Sequence, residues 1–261
     1  MDRLRRSGRF LALLCLLAVA PGVGADQSAN DLRDEVRRLR EDLSALQQEF
    51  RDFKQTLTPR RTGTGWEKVD GLTLNPEDSP QRGAPEASLV LIEFSDYQCP
   101  YCARHFADTL PQIERDFIAP GKLRYIVAEY PLEQMHPLAV KAAVAARCAG
   151  DQGRFWDMHA RLFTNQRQLE PWSAHAEALG LDSARFESCL QNRTYAAQVR
   201  TNAAEAQRAG VKSTPTFLLA FAAGSEVHVV RRLRGAAPYQ AFKAEIEALL
   251  TETNQAPQPS R

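Results

Sequence analysis

The chain has 261 residues, of which 44% are hydrophobic and 25% charged, and its formal charge is +1. That composition excludes a globally disordered or low-complexity protein. Setting aside the four Arg and one Asp of residues 1–25 leaves 29 basic and 31 acidic side chains, a net of −2. A near-neutral body has no general electrostatic drive toward anionic lipid or nucleic acid, and no nucleic-acid partner is expected.

Residues 1–25 pass from a basic stretch (Arg3, Arg5, Arg6, Arg9) into an apolar run from Phe10 to Ala20, then a Pro/Gly turn and Val23-Gly24-Ala25. These are the three regions of a secretory signal, with cleavage expected after Ala25 and a periplasmic destination. The apolar run falls short of the ~20 residues that span a bilayer; an uncleaved membrane anchor is the rival reading. Cys15 would leave with the signal, so the mature chain keeps Cys99, Cys102, Cys148 and Cys189. An even number in an oxidising compartment favours disulfides. Zinc is the rival for a close Cys pair, but there is no second close pair and the His residues show no ligand spacing around the first. No metal and no cofactor are expected.

From Leu32 the apolar residues fall at Leu32, Val36, Leu39, Leu43, Leu46, Phe50, Phe53 and Leu57, alternating intervals of four and three. A strict 3.5-residue repeat winds helices into a left-handed coiled coil. With Val36 as an a position, Glu35, Asp42 and Glu49 sit at g and Arg40, Gln47 and Lys54 at e. Across a parallel seam these make two opposite-charge pairs and one polar pair. The helix, assigned to residues 28–57, would run ~40 Å over its heptads at 1.5 Å per residue, and a homo-oligomer, dimer or trimer, is expected. The alternative is an amphipathic helix folded back on its own domain. Residues 58–65, with a Pro and two Gly, read as a linker.

Leu89 to Phe94 has the length and composition of a buried strand. After Ser95-Asp-Tyr-Gln, the segment Cys99-Pro-Tyr-Cys102 opens a helical pattern that continues through Phe117. A thiol at a helix start meets unsatisfied N–H groups that stabilise its thiolate, so Cys99 is the expected nucleophile. Cys102, one turn on, can resolve the mixed disulfide that Cys99 forms.

The segment Glu93-Phe-Ser-Asp-Tyr-Gln-Cys-Pro-Tyr-Cys102 resembles the active-site region of exported DsbA-like thiol–disulfide oxidoreductases of the thioredoxin superfamily. The likeness extends over residues 66–251, with a flexible tail expected over 252–261. Lys122 to Tyr130 reads as the next strand. The Ala-rich helical stretch at about 133–208 matches the insertion that family places in the thioredoxin fold. Gly210-Val-Lys-Ser-Thr-Pro-Thr-Phe217 matches its cis-proline loop, followed by strands at Thr216–Phe221 and Val227–Leu233 and a helix from Pro238 to Leu250. The fold class is thus α/β: a thioredoxin fold with a helical insertion, preceded by a coiled-coil helix.

The resemblance implies that Pro215 is cis and that Thr214 presents its backbone to an extended substrate. It implies that Glu93 is the buried acid that shuttles the Cys102 proton, the alternative being an ordinary strand-end carboxylate. Pro100 and Tyr101 would tune the pair. Strongly oxidising family members carry His in place of Tyr101, so this pair is expected to be less oxidising. His105, one turn past Cys102, reads as a surface residue. Cys148 and Cys189, both in the insertion, are expected to form a structural disulfide between two helices, the alternative being two separately buried thiols.

Three functions remain open. The first is a disulfide isomerase or reductase acting on exported proteins with cysteines, made oligomeric by its coil and served by a membrane redox partner. Its architecture resembles oligomeric DsbC-like and copper-tolerance-linked (ScsC-like) proteins. The second is a dithiol oxidase that introduces disulfides. The third is a chaperone or Cu(I)-handling protein that uses the two thiols as soft ligands.

Overall fold

The computed structural model describes residues 23–57 and 65–255, Glu77 excepted, in two units that divide at Arg60. The first holds one helix, α1 (Val23–Leu57, 35 residues). It covers the heptad segment and begins at Val23, inside the stretch read as a signal; residues 1–22 lie outside the described residues, as does most of the expected linker, 58–64. Leu32, Leu39 and Leu46 are 61–63% exposed, and Val36, Leu43 and Phe50 are exposed on the same stripe. Over these residues the apolar stripe is largely open to solvent.

The second unit is built on a mixed sheet. Its strands are β1 (Glu67–Leu74), β2 (Gln81–Arg82), β3 (Leu89–Ser95), β4 (Leu123–Glu129), β5 (Thr216–Ala223) and β6 (Glu226–Arg234), in the order β1-β6-β5-β3-β4-β2. β3 and β4 are parallel, joined by a helical crossover, and the remaining pairs are antiparallel. Every residue of β3 is buried, as its continuous apolar run requires of a strand covered on both faces.

Strand alternation divides the core. Leu89 and Leu91 pack with Leu110, Ile113 and Phe117 of the crossover and with Phe242, Ile246 and Leu249 of the closing helix. Val90, Ile92 and Phe94 pack on the other face with Ile126, Leu218, Val227 and Ala206. Each fully buried large apolar side chain is worth about 1.5–3 kcal/mol. Glu93 and Ser95 share the parity of Leu91 and so face the crossover and closing helices.

The crossover is one helical run in four pieces: α2 (Pro100–Arg104), a π-helical turn (His105–Thr109), α3 (Leu110–Ile113) and a second π-helical turn (Glu114–Ile118). Pro111 has no N–H to donate and its ring crowds the preceding turn; the widened turn just before it makes room. Where the chain leaves β2, Gly83 has φ +96, and a Cβ there would lie 2.5 Å from the Leu123 carbonyl oxygen. Only glycine fits that approach.

Five helices form the insertion: α4 (Ala139–Gly150), α5 (Phe155–Thr164), α6 (Trp172–Ala178), α7 (Ser183–Gln191) and α8 (Arg193–Arg208). Small Ala residues on α4 bring its backbone close to α5, around Met158, Leu162 and Phe163. Cys148 of α4 and Cys189 of α7 form a disulfide with a Cα–Cα distance of 5.8 Å. The neighbouring Arg147 makes a buried bidentate pair with Glu129 at the end of β4, at 2.8 and 2.7 Å. The closing helix α9 (Tyr239–Gln255) runs past the expected end at Leu250 and takes in residues 252–255 of the expected tail. Residues 256–261 lie outside the described residues.

Candidate active site

Cys99 is the N-cap residue of α2, with φ −74 and ψ 119, and Pro100 opens the helix. Proline suits that position because its missing N–H has no intrahelical partner there. Cys99 and Cys102 are both free thiols and both buried, while Tyr101 between them is 56% exposed. The insertion's core includes the two cysteines and Tyr97, so the thiols lie where β3, the crossover and the insertion meet.

The Thr214–Pro215 peptide bond is cis. The Cys99 thiol donates to the Thr214 carbonyl oxygen at 3.4 Å, which places the proline loop directly against that thiol. A second cis bond, Glu170–Pro171, precedes α6, and sequence reasoning had no signal for it.

The two thiols differ sharply in acidity. Cys99 is lowered to about 6, chiefly by the hydrogen bond from the Cys102 thiol; burial opposes this, and the Thr214 side chain and the backbone N–H groups of Cys102 and Tyr101 add to it. Burial pushes Cys102 well above its ordinary value, and its hydrogen bond to Cys99 and the nearby Glu93 charge act in the same direction. Near neutral pH the Cys99 thiolate is thus favoured while Cys102 keeps its proton.

The carboxyl that acts on both thiols is Glu93. It is buried, and burial raises its carboxyl to about 7 although Tyr125 and Ser95 both hydrogen-bond it. The Ser95 hydroxyl donates to Glu93 Oε1 at 2.7 Å, and the Tyr125 hydroxyl donates to Oε2. His105 is not a surface residue: it is fully buried, with Nε2 3.5 Å from Glu93 Oε2. Its ring packs against Phe217 and Phe242 at 4.4 and 5.3 Å. Burial lowers its pKa to about 3, which keeps the imidazole neutral. The signal for its burial was present, since i and i+3 share a helix face and Cys102 is buried.

Four residues beyond the sequence reading hold the CxxC segment. Asp96 accepts from the Gln98 backbone N–H at 2.7 Å, the Leu132 N–H at 2.8 Å and His136 Nδ1 at 2.8 Å, tying the loop after β4 to the loop before α2. Gln98 Oε1 accepts from the Leu138 N–H at 2.6 Å. Gln166, between α5 and α6, donates to the carbonyls of Tyr97 and Cys99 at 2.7 and 3.0 Å. Among the described residues no group of three or more His, Cys, Asp or Glu side chains is arranged to hold a metal ion. No helix among them is long and apolar enough to cross a membrane.

The model of a thioredoxin family, described as Thioredoxin, matches residues 75–226, which is more than half of the chain and includes both thiols. The chain belongs to the thioredoxin family. Its fold is close to that of alpha-DsbA1 from Wolbachia pipientis, with a TM-score of 0.60 at 20% identity over 68% of this chain and 94% of that one. BdbD from Bacillus subtilis aligns with a TM-score of 0.58 at 25% identity, covering 71% of this chain and 99% of that one. The Na(+)/H(+) antiporter NhaA 1 of Salinispora arenicola is 33% identical over 192 residues, 73% of this chain and 28% of that protein. The chain thus spans about a quarter of the length of the curated relatives it matches.

Proposed function

We propose that this thioredoxin-family chain is an exported protein thiol–disulfide oxidoreductase, and within that class a disulfide isomerase or reductase. The observation that carries the reading is the unequal thiol pair: Cys99 at the helix start against the Thr214 carbonyl, favoured as thiolate above about pH 6, with Cys102 protonated beneath it. A nucleophile near 6 is closer to thioredoxin-type pairs, at about 7, than to the strongest oxidants, at about 3.5. Tyr101, exposed between the cysteines, supplies no cation to stabilise the thiolate further.

The Cys99 thiolate attacks a substrate disulfide, forming a mixed disulfide and releasing one substrate sulfur as thiolate. If that sulfur or another substrate thiol displaces Cys99, the substrate's disulfides have been rearranged with no net electron transfer. If Cys102 displaces it, both substrate sulfurs leave reduced and a Cys99–Cys102 disulfide remains, which a dithiol partner in the membrane must reduce. Thr214 offers backbone pairing to the extended substrate beside the thiol, and Glu93 takes the Cys102 proton.

The exposed heptad stripe of α1 supports assembly of two or three copies through a coiled coil. Several catalytic units around one misfolded chain raise the effective concentration of thiolate at its disulfides. The reading takes export to the periplasm from residues 1–25 and has cysteine-containing exported proteins as substrates.

Reactivation of disulfide-scrambled ribonuclease tests this. The full chain is expected to reactivate it, and Leu39→Glu/Leu46→Glu, which charges the seam, is expected to lower the rate about tenfold or more while small-disulfide reduction is retained. Failure of the full chain, with rapid oxidation of reduced substrate in its place, would identify an oxidase.

A further inference from the structure

One turn of the insertion grips the segment that carries Cys99. Asn165 ends α5 and donates from Nδ2 to the Arg161 carbonyl at 2.7 Å, and the Gln168 N–H returns to the Asn165 carbonyl at 2.8 Å. Gln166 stands in that turn, half-buried, and its carboxamide nitrogen donates to the Tyr97 carbonyl at 2.7 Å and to the Cys99 carbonyl at 3.0 Å. Carbonyl oxygens only accept, so the amide nitrogen and not the amide oxygen must face this pair. The Cys99 oxygen also accepts the Ala103 N–H at 3.1 Å, so two donors fill its two lone pairs. Tyr97 is held at its other end too. Its hydroxyl meets Nδ1 of His159 on α5 at 2.9 Å, and its ring lies 4.9 Å from that of Phe163.

These bonds bear on a thiolate. Negative charge on Cys99 Sγ is favoured by nearby N–H groups and opposed by nearby carbonyl oxygens, which carry partial negative charge. The thiol already faces one such oxygen, that of Thr214 at 3.4 Å. The Cys99 and Tyr97 carbonyls are two more in the adjoining main chain, and the Gln166 nitrogen offsets both. The same bonds fix the peptide groups 97–98 and 99–100, and with them the direction in which the Cys99 side chain leaves the backbone.

We propose that Gln166 is a positioning residue of the exchange reaction, its carboxamide holding the backbone of Cys99 and offsetting the two carbonyl oxygens beside the nucleophile. This rests on Cys99 being the nucleophile but not on the choice between isomerase and oxidase. Gln166 acts through the main chain, so the insertion helps to set the reactivity of a thiol that belongs to the crossover. The titratable groups that act on Cys99, Cys102 on α2 and Glu93 on β3, stay in place when Gln166 is replaced.

The test is the pH dependence of Cys99 alkylation in the reduced full-length chain and in Gln166→Leu, Gln166→Glu and Gln166→Lys, with a urea midpoint for each. Gln166→Leu keeps the bulk and removes the donors, and is expected to raise the pH midpoint by about half a unit or more. Gln166→Glu sets a carboxylate against the two carbonyl oxygens and is expected to raise it by about one unit or more. Gln166→Lys keeps a donor and adds positive charge, so its midpoint is expected at or below that of the parent. A structural prop alone would lower the urea midpoints without producing this order. Leu and Glu midpoints within about 0.2 unit of the parent, or a Lys midpoint raised as far as that of Leu, overturn the proposal. A parent midpoint of about 8.5, that of an ordinary thiol, overturns the reading of Cys99 as a stabilised nucleophile.

Discussion

Replacing Cys102 with Ser is expected to convert a catalyst into a trap. Cys99→Ser removes the thiolate and should bring exchange to the uncatalysed background, since a serine hydroxyl stays protonated where Cys99 ionises at about 6. Cys102→Ser leaves the nucleophile and the Thr214 contact in place but deletes the group that releases substrate. Covalent one-to-one adducts with cysteine-containing proteins should accumulate and dissolve on adding dithiothreitol, as non-reducing electrophoresis would show. The variant also loses the hydrogen bond from Cys102, the largest influence lowering Cys99, so a serine hydroxyl there should restore part of the effect by donating in its place. Failure of Cys102→Ser to trap any partner, with Cys99 reactive, would mean that release does not depend on Cys102.

The largest expected effect on stability lies away from the thiols. Arg147→Ala leaves the Glu129 carboxylate buried without its guanidinium partner, which should cost about 3–5 kcal/mol. The pair is bidentate, nearly closed to solvent, and Arg147 also donates to the Asp78 carbonyl at 3.2 Å. It ties the end of β4, where the chain turns back toward the catalytic face, to the helix that carries Cys148. A double replacement, Arg147→Met with Glu129→Leu, should recover most of the loss, because removing both charges removes the desolvation penalty with them. Urea unfolding reads both: a large fall in midpoint for the single variant, a small change for the double. An Arg147→Ala chain as stable as the parent would show that water reaches Glu129.

Where local pattern carried the information, the fold was legible. The apolar run of β3 follows from length and composition, while β4, the strands after Pro215 and the closing helix were read along the family resemblance, with boundaries shifted by a few residues. β1 was missed because its residues are only partly buried and its register breaks between Lys68 and Leu72, around Gly71 at φ +70. β2 has two residues, too few for any period. Cys99 and Cys102 stood out by spacing and context. Thr214 and Pro215 were reached through family resemblance, since nothing in local pattern brings residue 214 to residue 99.

The support around the site was illegible for the same reason. Asp96–His136 and Gln98–Leu138 join residues 40 apart, and Gln166 reaches Cys99 from 67 residues away. His105 is the instructive error. It was read as a surface residue, but its spacing from the buried Cys102 places it on a buried face.

Everything rests on Cys99 being a stabilised thiolate held by a protonated Cys102. The most direct measurement is the pH dependence of Cys99 alkylation in the reduced full-length chain, followed by thiolate absorbance. A lowered pKa means that the thiolate is lost only as pH falls through it, so the rate should be level above about pH 7 and drop tenfold per unit below about 6. The midpoint is expected near 6, with Cys102 unreactive throughout that range. A midpoint at about 8.5, that of an ordinary thiol, would contradict the account.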